Sequence, residues 1–173
     1  FNVSAGINFD SNSVINFDLD GENVAKEFVL NVEDKLRVAG TVTVGVANIT
    51  AGSFSVTEDG IISASGRGYL KGYGPNFEGG SLPQLKNGWD GGRHGGVGGQ
   101  AKEALYLDND SPYGDARFPT EMGAGGGSRN NKGGRGGGIV WIRSKTVQMD
   151  GVIRANGDDT TLNDGAGAGA GGT

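Results

Sequence analysis

An all-β fold, a right-handed parallel β-helix or solenoid with a long glycine-rich excursion, is the class this sequence predicts. Three observations point there. Apolar residues alternate with polar or small ones at a period of two, and no stretch sustains a 3.6-residue period. An octapeptide recurs, Asp59-Gly60-Ile61-Ile62-Ser63-Ala64-Ser65-Gly66 against Asp150-Gly151-Val152-Ile153-Arg154-Ala155-Asn156-Gly157. Glycine supplies 36 of the 173 residues, about three times the ~7% of an average protein.

The first strands are short. Val14–Leu19 and Phe28–Val32 alternate, and Asp20-Gly21-Glu22-Asn23 has the composition of the turn between them. From Lys35 the alternation becomes insistent, through Leu36, Val38, Val42, Val44 and Val46, then Phe54, Val56 and Ile61-Ile62. The β-branched enrichment of these positions suits strands. Residues 1–33 are expected to form N-terminal strands that cap or assemble. Residues 34–173 are expected to form the glycine-rich solenoid, truncated or completed by a neighbouring subunit. The start at Phe1 and the uncapped run Gly165-Ala166-Gly167-Ala168-Gly169-Ala170-Gly171-Gly172-Thr173 carry that last expectation.

The two copies of the octapeptide share their surroundings. Phe54-Ser55-Val56 precedes one and Val147-Gln148-Met149 the other, and each runs into a glycine-rich stretch. Lys35-Leu36-Arg37-Val38-Ala39-Gly40-Thr41-Val42 is a degenerate third version. The unit reads as strand, tight Asp-Gly turn with glycine at positive φ, strand, then small residues where the next coil passes close. Between the copies, residues 66–138 carry aromatic and apolar anchors that predict an ordered excursion folded back on the solenoid. Ile139-Val140-Trp141-Ile142-Arg143, the most apolar strand, is expected in the core. Ala101–Leu107 is at most a weak two-turn helix.

Composition excludes several chemistries. There is no cysteine, which removes disulfide scaffolds, zinc knuckles and thiol nucleophiles, and His94 is the one histidine. The net charge is −5, with residues 1–60 acidic and the remainder near neutral. No concentrated basic face is written into the chain, so no nucleic acid is expected. No run of about 18 apolar residues is present, so no membrane span is expected.

The motifs are weak as chemistry. Gly91-Gly92-Arg93-His94-Gly95-Gly96-Val97-Gly98-Gly99 lacks the lysine and following helix of a phosphate cradle. It is expected to run extended against other backbone, with His94 hydrogen-bonding locally. Asp158-Asp159 and His94-Gly95 stand in the wrong order for a pectin hydrolase, and a solvated turn pair is the expectation. Asp18-Leu19-Asp20-Gly21-Glu22 and Asp108-Asn109-Asp110 alternate oxygen ligands but match neither an EF-hand nor a calcium β-roll. No catalytic residue, metal site or cofactor is expected. Asn2, Asn48 and Asn109 begin Asn-x-Ser/Thr sequons and are glycosylation candidates, the third weakened by Pro112. Trp89, Tyr69, Tyr73 and Tyr113 are the candidates for stacking on sugar rings, against the plainer role of buried rings.

The His94-Gly95-Gly96 element, Tyr113-Gly114 with Pro119, Gly125-Gly126-Gly127, Gly136-Gly137-Gly138-Ile139 and the repeated D-G-x-I-x-A-x-G unit carry a resemblance. Over residues 35–173 the chain resembles the glycine-rich β-helical segments of large extracellular or cell-surface proteins, adhesin-like and autotransporter-passenger-like. The resemblance implies a place outside the cell or on its surface. The repeat, the uncapped Ala-Gly end and the lack of a credible active site add the expectation of a non-catalytic structural module that self-assembles into a filament or appendage, with copies of itself as neighbours and glycans as further partners. The alternative is a carbohydrate-binding or polysaccharide-processing β-helix domain.

Overall fold

The computed structural model describes residues 1–10, 12–17, 27–75, 81–83, 91–96, 113–127, 133–160 and 167–173. The Asp20–Asn23 turn, the Ala101–Leu107 segment, both candidate calcium stretches, Trp89 and Asn109 lie outside them.

Among the described residues eleven strands are formed: β1 (Asn2–Val3), β2 (Ile7–Phe9), β3 (Val14–Phe17), β4 (Glu27–Val38), β5 (Thr41–Val44), β6 (Val46–Val56), β7 (Ile61–Ser63), β8 (Tyr73–Pro75), β9 (Ser81–Pro83), β10 (Ile139–Met149) and β11 (Val152–Arg154). One sheet runs β1-β4-β6-β10, with β2 also on β4; the second runs β11-β7-β5-β3. Every pairing in these two sheets is parallel. The pair β8–β9 is antiparallel and separate.

Alternation decides which side chains go inside. On β4, β5 and β6, residues Leu30, Val32, Leu36, Val38, Val42, Val44, Ile49, Phe54 and Val56 are buried, and they form one core with Ile62 and Ala64. The register shifts once, between Val32 and Lys35, where β4 bulges against β6 and the buried positions of β6 change parity from Ala51 to Phe54. Gly52 faces the bulge, and a Cβ there would strike the Glu33 and Asp34 carbonyl oxygens. The boundary expected at 33/34 falls on this bulge, inside a continuous strand.

The repeat is real in space. Val152, Ile153 and Arg154 pair with Ile61, Ile62 and Ser63, and Val147 and Met149 pair with Phe54 and Val56. The degenerate version joins in the same columns, Leu36 beside Phe54 and Val42 beside Ile62. The reason for the turn glycines differs from the expected one. Neither Gly60 nor Gly151 has positive φ. A Cβ on Gly60 would instead meet the Val38 carbonyl oxygen, and one on Gly151 the carbonyl oxygens of Thr57 and Gly60. Close approach of adjoining turns, not a left-handed backbone, demands glycine here.

The predicted right-handed β-helix with a glycine-rich excursion is corrected. Among the described residues two parallel sheets form, with one small antiparallel sheet and a glycine-rich bundle that belongs to none of them. A solenoid stacks successive rungs of matched length. Here strands run from 2 to 12 residues, and β10 neighbours β6 although residues 57–138 intervene. Among the described residues no helix occurs.

The bundle explains where the glycines go. Gly134 and Gly137 both donate to segment 167–173, at Gly167 and Ala170, and their carbonyls both accept from segment 122–127, at Gly126 and Gly123. Between them Gly136 bonds Gly68 and Tyr69, while the Arg135 carbonyl accepts from Asp158. One short segment thus hydrogen-bonds four others, and the pattern repeats after three residues. Three residues is the turn of a polyproline II chain, which has no hydrogen bonds of its own. Neighbours surround each chain instead of flanking it on two sides, so no sheet can form. A Cβ on Gly136 would strike the Gly123 carbonyl, and one on Gly169 that of Arg135. Residues 66–75 and 113–138, where described, therefore interlock with the C-terminal segments and do not form an excursion.

Candidate functional site

The strand Ile139–Arg143 was expected in the core, yet only Ile139 is fully buried, while Val140, Trp141 and Ile142 are half-buried and Arg143 is exposed. This start of β10 turns one face toward segment 119–122. The Trp141 indole N–H donates to the Pro119 carbonyl at 2.9 Å and holds the segment in place. Between them lies a groove of about 300 Å³. Val46, Met122 and Ile139 form its apolar wall, with the Tyr69 and Trp141 rings. Glu27, Thr120 and Glu121 supply its polar side.

The polar groups are organised. The Tyr69 hydroxyl donates to the Glu121 carboxylate at 3.3 Å. Burial, reinforced by the Glu121 charge, pushes the Tyr69 phenol up to about 12. Asn48 of β6 donates from Nδ2 to Glu27 at 2.9 Å, while its Oδ1 accepts from Arg143 at 3.1 Å. The Arg143 guanidinium also lies over the Trp141 ring, 5.4 Å from its centre. Among the described residues neither Glu27 nor Glu121 forms an ion pair with lysine or arginine.

The expected sugar-stacking aromatics are placed otherwise than as a set. Tyr69 is 7% exposed and enters the groove. Tyr73, on β8, is half-buried against the Tyr69, Met122 and Ile139 cluster. The Tyr113 hydroxyl donates to the Met122 carbonyl at 2.6 Å, and its pKa is raised, first by burial and then by the acidic groups of Tyr69 and Glu121. His94 lies against the Tyr113 ring, 5.2 Å between centres. Its Nδ1 is 2.9 Å from the Gly171 carbonyl, a distant partner in sequence where a local one was expected. Trp89 is outside the described residues. Trp141, Glu27 and Glu121 were missed as site residues because nothing local in the sequence joins positions 27, 121 and 141.

Of the sequon asparagines, Asn2 is exposed and accepts from Asn31 Nδ2 at 2.8 Å. Asn48 is half-buried within a central strand, with its amide committed to Glu27 and Arg143. Asp158 and Asp159 are exposed, and Asp158 lies over Gly66, whose φ is +64°. Among the described residues no three acidic or histidine side chains converge to hold a cation, and no helix is long and apolar enough to cross a membrane.

The first parallel sheet ends openly at β10. Val147 lies in the same inward column as Leu36 and Phe54, yet it is 54% exposed where they are 0% and 2%. Met149 repeats the contrast with Val38 and Val56. At the opposite end the columns finish at Ile7 and Phe9 on β2, both half-buried. No family model, curated protein or solved structure matches the chain, so the resemblance to adhesin-like surface segments rests on the sequence elements alone.

Proposed function

We propose that this chain is a structural module of an extracellular or cell-surface protein that assembles end to end with copies of itself and performs no catalysis. One observation carries the reading: the inward apolar columns run unbroken through the layers and stop uncovered at Val147 and Met149. Apolar side chains that continue a core but face water favour a further layer. The β10 and β2 edges are both parallel, and each ends the same two columns, Val147 with Ile7 and Met149 with Phe9. A second copy placed β10 against β2 continues both. Such a joint uses different surfaces on the two copies, and repeating it gives an open filament instead of a closed ring. Unpaired edge strands are templates for this kind of addition.

The test is sedimentation and electron microscopy of the purified chain over a range of concentrations, beside a Val147→Lys, Met149→Lys double variant. The reading expects concentration-dependent growth into fibres that the double variant abolishes while its unfolding transition is retained. A wild-type chain that stays monomeric at high concentration overturns it.

A further inference from the structure

We propose that the groove between β10 and segment 119–122 binds a cationic group on an apolar stem, an alkylammonium or alkylguanidinium with the chemistry of a lysine or arginine side chain. Hydrogen-bonding capacity at the groove favours a donor. The two aromatic donors at the groove are spent, Trp141 on Pro119 and Tyr69 on Glu121. The Glu27 and Glu121 carboxylates each accept one known hydrogen bond, and a carboxylate has room for several. The unspent capacity is therefore mostly for accepting, which suits a ligand that only donates.

Charge points the same way. Two carboxylates line the groove, and the Arg143 guanidinium is linked to Glu27 only through Asn48. The local field favours a further cation. The aromatic ring adds to it. Trp141 already carries one guanidinium over its indole, an attraction between cation and ring quadrupole that strengthens as the site dries. Last, Val46, Met122 and Ile139 give an alkyl stem an apolar wall, as long basic side chains prefer. The groove contains neither Val147 nor Met149, so the proposal is independent of the assembly reading.

The test is an NMR titration with N-acetyl-lysine methylamide and N-acetyl-arginine methylamide, following the Trp141 indole N–H and the Thr120 and Glu121 amides. N-acetyl-norleucine methylamide, which keeps the stem and lacks the charge, and methyl glucoside are the controls. Saturable shifts with a Kd of about 1 mM are expected from the basic probes. Glu27→Gln with Glu121→Gln, which keeps size and accepting oxygens, is expected to weaken binding about tenfold. Dilution of the probe-free protein separates the two sources of such a group. Shifts at Trp141 that grow with protein concentration and are lost in Glu27→Gln, Glu121→Gln identify a basic side chain of another copy; constant ones, together with binding of the basic probes, identify a free ligand. Equal binding of norleucine methylamide, tighter binding of methyl glucoside, or no shift with any probe overturns it.

Discussion

Phe54 and Val147 are register partners on adjoining parallel strands, β6 and β10, yet the first is 2% exposed and the second 54%. The same column of the same core is closed at one layer and open at the next. Phe54→Ala should cost about 3–5 kcal/mol of stability, the lost transfer energy plus a cavity that cannot collapse. Val147→Ala should cost under about 1 kcal/mol in the monomer, because half of its surface already faces water. Urea unfolding of the two variants at concentrations too low for association checks the contrast.

Glycines that look interchangeable in the sequence are not. Gly136→Ala drives a methyl group into the Gly123 carbonyl within the bundle, whereas a Cβ on Gly96 meets no atom within 4 Å. The first substitution is expected to destabilise by at least about 3 kcal/mol, since backbone and not a pliable side chain must move. Gly96→Ala is expected to stay within about 0.5 kcal/mol of the parent chain. Thermal unfolding followed by circular dichroism reads both.

Alkaline pH should weaken the fold through Tyr69. Its phenol is raised from 10.0 to about 12 by burial and the Glu121 charge. Below pH 10 the phenol is protonated in folded and unfolded chains alike, and the contribution to stability is complete. As pH rises from 10 toward about 12 the unfolded chain releases the proton while the folded chain retains it, so stability falls. The urea midpoint should decline across this window, and less steeply in Tyr69→Phe.

Glycan occupancy should separate two of the sequons. Asn48 spends its amide on Glu27 and accepts from Arg143 inside a three-strand neighbourhood, whereas Asn2 is exposed on an edge strand. Secretion from a glycosylating host followed by peptide mass spectrometry should find folded protein modified at Asn2 and unmodified at Asn48. Folded protein carrying a glycan at Asn48 would contradict the placement of β6.

Much of the layered part was legible because its signals are local. Period-two alternation marked Leu36, Val38, Val42, Val44, Phe54, Val56 and Ile62, which are buried, with Val46 and Ile61, which are half-buried. The octapeptide repeat located two stretches that pair residue for residue. What escaped depends on contacts that only the folded chain creates. Composition flagged Gly134 and Gly137, but their three-residue bonding period appears only when segments 122–127 and 167–173 lie alongside. Trp141 read as a core residue because its strand is apolar, while its position at a groove follows from Pro119 arriving over its indole. A motif search cannot join Glu27, Glu121 and Trp141, since each sits in unremarkable local sequence.

The glycine bundle also bears on the heat capacity of unfolding. Exposing apolar surface raises that quantity and exposing peptide groups lowers it, for a usual sum of about 12–15 cal/mol/K per residue. The interlocked segments around Gly123, Gly136 and Gly169 bury backbone against backbone, so melting them uncovers amides far more than hydrocarbon. The two sheets follow the ordinary rule, and the bundle pulls the whole chain below it. A smaller heat capacity increment flattens the stability curve, so this chain should lose less of its stability at low temperature than a hydrocarbon-filled domain of equal length.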